Sequence, residues 1–279
     1  MARKSDAMAL GIARGYVNLH SIADSTMNPQ HSSGPFDLVI CDIDGCLAPE
    51  SATPFDVAAL QQVGQYNRLA TEQRDRPVVT VCSGRPQPFV EAMCRLIHNR
   101  SMPAVAENGT WLYVPGENEY LMDPDITAEH LDIVHEASRF VMDRYGPKGV
   151  TLQPGKTASV TLYHRQPEFL QEIMPEVQEE LSNRDWPFRV SMTWLYINCD
   201  LEFVSKASGV RRLLERTGTD PARVAGIGDT TSDLPVAEAV RYFACPANAS
   251  EDIRRHAHYV SPHEEAAGVL DILEQLRQA

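Results

Sequence analysis

Carboxylates gather in this sequence at the points where apolar runs stop. Asp42 and Asp44 stand two positions apart at the end of the run 36–41, with Gly45 behind them. Asp229 and Asp233 follow the run 224–227 and its Gly228. Ser83 ends the run 77–82, Glu107 and Asn108 end 104–106, and Lys206 opens a helical stretch after Ser205. Carboxylate oxygens suit a hard cation, and a local cation can reverse the field inside a pocket so that an anion is accepted. Each residue also has a purely structural reading. Aspartate and serine at strand ends commonly cap helices or make turns, Asn108-Gly109 favours left-handed turn geometry, and a lone lysine is most often a solvated helix residue.

The elements that must hold these groups alternate between short apolar strands and helices. Residues 36–41 read as a strand buried in a parallel sheet. A helix is predicted over 54–73, with Pro54 near its first turn and Val57, Leu60, Val63 and Leu69 on one face. The strand 77–82 leads to a helix ending near Asn99, and a third strand covers 104–106. Such alternation argues α/β with a parallel sheet, whose strand carboxyl ends are where ligands bind.

The middle of the chain changes character. A hairpin is expected over 111–122 around Pro115-Gly116, then a helix over 127–145 with Thr127 as its N-cap. A strand at 158–164, a helix at 167–183 and strands at 188–193 and 195–201 follow, which argues an antiparallel sheet with helices on one face. The parallel pattern returns with a helix after Ser205, strands at 224–227 and 242–245, and a closing helix over 268–278. The expected organisation is an N-terminal extension (1–34), a core (35–122 and 202–279) and an inserted domain (123–201). Within the extension, residues 8–22 could form a helical turn or two, and 25–35 have linker chemistry.

Side by side, the strand ends resemble the motif set of the haloacid dehalogenase superfamily of phosphatases. Asp42-Ile43-Asp44-Gly45 is similar to the first motif, D-x-D-G, and Ser83 of Ser83-Gly84-Arg85 to the second. Lys206 matches the third, and Gly228-Asp229-Thr230-Thr231-Ser232-Asp233 the fourth, G-D-x-x-x-D. The resemblance covers nearly the whole chain after Pro35, and the insert resembles the large α/β cap of the Cof-type branch. It implies a Rossmann-like core with a parallel sheet plus an inserted α+β cap domain, and a Mg²⁺-dependent phosphatase working through an aspartyl-phosphate.

Phosphoryl transfer brings an anionic nucleophile up to an anionic ester, and a divalent cation bridging their oxygens relieves the repulsion. The resemblance assigns Asp42 as nucleophile and Asp44 as the acid that protonates the leaving oxygen and then activates water. It gives Mg²⁺ to the side chains of Asp42 and Asp229 and the carbonyl of Asp44, with Asp233 orienting that shell. Ser83 and Lys206 are expected on the transferring phosphoryl group, and Arg85 and Asn108 near the substrate. In the cap, Lys156, Trp194, Tyr196 and Asn198 are polar candidates, and His164-Arg165 is the pair expected to read a second anionic or hydroxyl group. That pair could equally be an exposed edge. The stretch Cys245-Pro246-Ala247-Asn248-Ala249 resembles the archaeal-type phosphoglycolate phosphatases, and sucrose-phosphate phosphatase is another relative by motif.

The expected substrate is therefore a small phosphorylated metabolite, a sugar phosphate or phosphoglycolate. Two rivals remain open: a phosphosugar mutase on the same fold, and a catalytically idle metabolite-binding protein. Among the 279 residues, 25 Lys and Arg face 38 Asp and Glu, so the charge of −13 disfavours nucleic-acid binding. No apolar run approaches the roughly 18–20 residues of a membrane span, and a cytoplasmic protein is expected. The six cysteines are scattered without zinc spacing and read as buried reduced thiols.

Three positions depart from the motifs: Cys46 replaces the usual Thr, Ala207 the Gly after the lysine, and Ser232 the Asn before Asp233. Losing the Asn amide should loosen the metal shell. Ser232→Asn is expected to lower the Mg²⁺ concentration needed for half-maximal phosphate release, and an unchanged requirement would show that Ser232 does not weaken the site.

Overall fold

The computed structural model describes residues 31–50, 52–193 and 195–278. The helical turns expected over 8–22 lie outside the described residues, as does Trp194. The end of the linker stretch is tied down. Ser32 N donates to Asp37 Oδ1 at 2.6 Å, while Arg223 reaches the carbonyls of Ser32 and Gly34 at 3.1 and 2.8 Å.

In chain order the first elements are β1 (Leu38–Cys41), α1 (Val57–Gln73), β2 (Val78–Val81), α2 (Gln87–Leu96) and β3 (Ala104–Ala106). The hairpin β4 (Trp111–Val114) and β5 (Glu119–Met122) precedes α3 (Ala128–Tyr145), β6 (Thr151–Leu152), β7 (Ser159–Tyr163), α4 (Pro167–Ser182), β8 (Phe188–Met192) and β9 (Tyr196–Leu201). The chain then makes α5 (Lys206–Thr217), β10 (Val224–Ile227), α6 (Leu234–Ala239), β11 (Tyr242–Cys245), α7 (Glu251–Arg254), β12 (Tyr259–Val260) and α8 (Glu265–Gln278).

The central sheet has five parallel strands in the order β12-β11-β10-β1-β2. Its first two strands are apolar without alternation because both faces are covered. One face packs on α1, α2 and α8 through Val39, Val79, Leu60 and Ile272, the other on α5 and α6 through Leu38, Ile40, Leu213 and Val236. The insert is a four-stranded antiparallel sheet, β6-β7-β9-β8, whose apolar face carries α3 and α4 over Val160, Ile197, Cys199, Val141 and Leu170. Thr127 caps α3 as expected, in a box with His130.

Four details differ from the sequence expectation. Helix α1 begins at Val57, because Asp56 accepts the Ala59 N–H and caps it; Pro54 stays outside, and Val57 is 63% exposed. Strand β3 joins β4 and β5 in a separate three-stranded sheet and meets the end of β2 through the Cys82–Val105 bridge. The last helix starts at Glu265, ahead of Gly268. Strand β6, two residues long, is too short for a period of two to show in the sequence. All six cysteines are free and buried. No helix among the described residues is long and apolar enough to cross a membrane.

Asn67 stitches α1 to the sheet edge. From a fully buried position its Nδ2 donates to the carbonyls of Val79 and Ile97 at 3.0 and 2.8 Å, and its Oδ1 accepts the Val79 N–H at 2.7 Å. Asn67→Ala leaves all three backbone groups buried and unpaired. It should cost about 3 kcal/mol of stability, read as a lower denaturant midpoint at unchanged slope.

Candidate active site

The parallel sheet brings Asp42, at the end of β1, beside Asp229, at the end of β10. The Asp42 N–H continues the ladder by donating to Ile227 O at 2.9 Å. Lys206, the first residue of α5, places its Nζ 3.0 Å from Asp42 Oδ2 and 2.6 Å from Asp233 Oδ1. The other Asp233 oxygen accepts the N–H groups of Asp229 and Thr230 at 3.1 and 3.3 Å. Asp42 Oδ1 accepts the Ile43 N–H at 2.8 Å. Asp42, Lys206 and Asp233 are 7, 5 and 0% exposed, so the cluster is shielded from bulk water.

Carboxylate oxygens of Asp42, Asp229 and Asp233 lie within 4.8 Å of one another. Burial, then Asp233, push Asp42 up to about 7 against the opposing pull of Lys206. Burial, then Asp42 and Asp233, raise Asp229 to about 8. Burial depresses Lys206, but Asp233 and Asp42 more than offset it and hold the ammonium firmly protonated. One lysine thus leaves negative charge uncompensated among three carboxylates, which is the donor set a hard divalent cation takes. The backbone fits that use: Gly45 adopts φ +74°, and a Cβ there would fall 1.9 Å from Asp229 Oδ2. Asn248 pins the same turn by donating to Gly45 O at 2.8 Å.

The loop after β2 supplies the rest. Ser83 is buried, and its Oγ accepts the Arg85 N–H at 3.1 Å. The Arg85 guanidinium holds Asp44 bidentately, with Nε 3.0 and 2.8 Å from the two carboxylate oxygens, and stacks on Phe89. Expected against substrate, Arg85 in this structure holds Asp44. Ser232 reaches the cavity rim and bonds Thr230 Oγ1 at 2.9 Å.

A cavity of about 530 Å³ opens over the cluster, between core and cap. Core residues on its wall include Asp42, Asp44, Ser83, Arg85, Asn108 and Lys206; the cap contributes Gln153, Lys156, Arg189, Tyr196, Asn198 and Asp200. His164 and Arg165 are not on this wall. His164 packs on Phe169 with ring centroids 4.6 Å apart, and Arg165 is exposed at the far end of β7. The position that the pair was expected to fill is taken by residues of β8 and β9.

Core and cap are joined by polar contacts that the sequence did not announce. Glu107 Oε1 accepts the N–H groups of Thr157 and Ala158 at 2.7 and 2.8 Å. Asn108 Nδ2 donates to Asp200 Oδ2 at 2.9 Å, and Lys156 Nζ donates to Gly84 O at 2.5 Å. Burial raises Glu107 and Asp200 and lowers Lys156. Asp200 could have been found by strand period, since Tyr196, Asn198 and Asp200 share one face of β9.

Strand-end carboxylates on a parallel sheet, facing a cavity closed by an inserted cap, define an α/β enzyme of the capped kind. Residues 132–273 match the family model described as haloacid dehalogenase-like hydrolase, and the chain belongs to that family. A phosphoglycolate phosphatase of Methanopyrus kandleri is 29% identical over 242 residues, covering 86% of this chain and 96% of the relative. That of Methanospirillum hungatei is 26% identical over 243 residues, with 84% and 94% covered. In fold the chain is similar to a protein of Thermoplasma acidophilum (TM-score 0.69, 19% identity, covering 88% of this chain and 99% of that one). It is also similar to the sucrose-phosphatase of Synechocystis, solved with sucrose and phosphate (TM-score 0.57, 14% identity, 86% and 97% covered).

The raised carboxyls have a measurable consequence. Asp42 and Asp229 hold protons in the fold up to about pH 7 and 8, whereas in the unfolded chain they lose them near 3.8. Between those limits the folded state binds more protons, so stability without metal falls as pH rises. The melting temperature of chelator-treated protein should drop between about pH 5 and 8, and added Mg²⁺ should raise it most at the upper end. A melting temperature that climbs over this range would contradict the arrangement.

Proposed function

We propose that this protein is a Mg²⁺-dependent phosphatase that hydrolyses a small phosphomonoester through an aspartyl-phosphate on Asp42. The observation that carries the reading is the buried group of Asp42, Lys206, Asp233 and Asp229 at the carboxyl ends of β1 and β10, under a cavity. The names of the relatives, phosphoglycolate phosphatases, point the same way. The proposed division is a core of 35–122 and 202–279, with a cap of 123–201 as the substrate-selecting part.

Mg²⁺ would be held by the side chains of Asp42 and Asp229 and the carbonyl of Asp44, with Asp233 orienting the shell; when bound it neutralises charge between nucleophile and phosphoryl group. Lys206 keeps one oxygen of Asp42 in place and presents its charge where the phosphoryl oxygens arrive. The Ser83 hydroxyl, whose oxygen accepts the Arg85 N–H, keeps its own proton to donate at the same end of the sheet. Asp44 attends the leaving oxygen. It protonates the departing alkoxide, then takes a proton from the water that cleaves the aspartyl-phosphate, so each turnover returns it to its starting state. The bidentate grip of Arg85 steadies Asp44 between turnovers, and Asp44 must turn from it to donate its proton.

Asp42→Asn should reduce phosphate release from p-nitrophenyl phosphate at least about a thousandfold. Undiminished turnover would refute the assignment of the nucleophile. With the unaltered enzyme, water labelled with ¹⁸O should appear in the released phosphate, whereas a mutase would return the phosphoryl group to sugar unlabelled.

A further inference from the structure

Asp200 is not explained by the chemistry at Asp42. It lies on β9, opposite Ser159 of β7 and Arg189 of β8, and belongs to the cavity wall. It is 3% exposed, and only one of its oxygens is satisfied: Oδ2 accepts from Asn108, while Oδ1 has no partner. Leaving a buried carboxylate oxygen unpaired costs stability, so a residue kept in that state at a binding cavity marks a place where a ligand donor completes it.

Its neighbours narrow the donor. Three cations stand around this part of the cavity, and each already faces a carboxylate. Arg85 holds Asp44, Lys156 lies in the field of Glu107 and Asp200, and Arg189 comes within 3.8 Å of Asp200. Among the described residues, a second carboxylate on the substrate would meet cations that already face carboxylates and would approach Asp200 itself. Beyond them the wall mixes polar and apolar side chains: Tyr196 and Asn198 share the face of Asp200, beside Met192 and Leu195, and Asn198 Oδ1 is taken by Thr161 at 3.1 Å. A cavity of about 530 Å³ would also be left mostly to water by the smallest phosphoesters.

We propose that Asp200 is a specificity-determining acceptor whose carboxylate takes a hydrogen bond from a hydroxyl of the leaving alcohol. The site then prefers the phosphomonoester of a polyhydroxylated alcohol to one carrying a second carboxylate. Asn108 orients Asp200 for this task from the core side of the seam. The proposal rests on the phosphatase reading above and goes against a transfer of substrate from the relatives' names.

The test compares glucose 6-phosphate, 2-phosphoglycolate and p-nitrophenyl phosphate with the unaltered enzyme and with Asp200→Asn. The unaltered enzyme should show a kcat/KM for glucose 6-phosphate at least about tenfold above that for 2-phosphoglycolate. Asp200→Asn should lower the ratio of glucose 6-phosphate to p-nitrophenyl phosphate turnover about 10- to 100-fold, chiefly through KM, since a site built for a hydroxyl discriminates through its buried partner. A preference of the unaltered enzyme for 2-phosphoglycolate overturns the proposal, and that ranking stands even if the variant fails to fold. An equal loss on all three substrates in the variant overturns it too, by reducing Asp200 to a structural strut. Absence of hydrolysis of p-nitrophenyl phosphate by the unaltered enzyme removes the phosphatase reading and the proposal together.

Discussion

Among the described residues, the Nζ of Lys206 is the positive centre inside a group of carboxylates that repel each other. With oxygens of Asp42, Asp229 and Asp233 within 4.8 Å, each like-charged pair is unfavourable by on the order of 3 kcal/mol at the effective dielectric of a protein interior. The chain tolerates this because Lys206 bonds two of the three and the backbone N–H groups of Asp229 and Thr230 bond Asp233 again. What is left over, two carboxyls at Asp42 and Asp229 that ionise only reluctantly, is what makes the place fit a cation.

Much of the surrounding architecture follows from bringing that ammonium to its position. Lys206 must begin α5, and Ser205 caps the helix there by accepting the Ser208 N–H at 3.2 Å. Helix α5 must also lie close on β3 and its following turn. Gly209 permits this, since a Cβ there would be 2.5 Å from Val105 Cγ1. Gly228 serves the same end beneath the cluster, where a Cβ would meet the Asp233 side chain at 2.4 Å. Small residues at these points are conditions of close approach, and the carboxylates depend on them.

The parallel sheet, the inserted antiparallel sheet and the strand-end group were legible because they are local in sequence. A run of buried residues stops, and the next polar side chain lies at the carboxyl edge. What was not legible depends on pairs distant in the chain. Nothing in the loop of Arg85, which lines the cavity, announces its bond to Asp44, 41 positions earlier. Asn108 and Asp200 are 92 positions apart, and only the folded cap brings them together. Of the two readings open for His164-Arg165, strand direction favours the exposed edge. Ser159 starts β7 beside Glu107, at the core side, and the strand carries its last residues roughly 13 Å further along. Likewise Pro54 has the chemistry of a helix start, but Asp56 holds the Ala59 N–H and sets the first turn after itself.

The two points where the chain leaves and re-enters the core are held by one side chain. Arg212 of α5 reaches the carbonyls of Gly109 and Leu121 at 2.8 and 3.1 Å and the carboxylate of Asp123 at 3.2 Å. Gly109, at φ +113°, lies so close to the re-entry that a Cβ would sit 2.4 Å from Ser205 O. Exit and return are therefore neighbours, and everything between them closes like a loop on a single hinge post. A segment of another size or shape can be spliced at that post without rethreading the central sheet. The strand-end cluster below is fixed by its crowded charges, whereas the inserted sheet above is tied to it at this post.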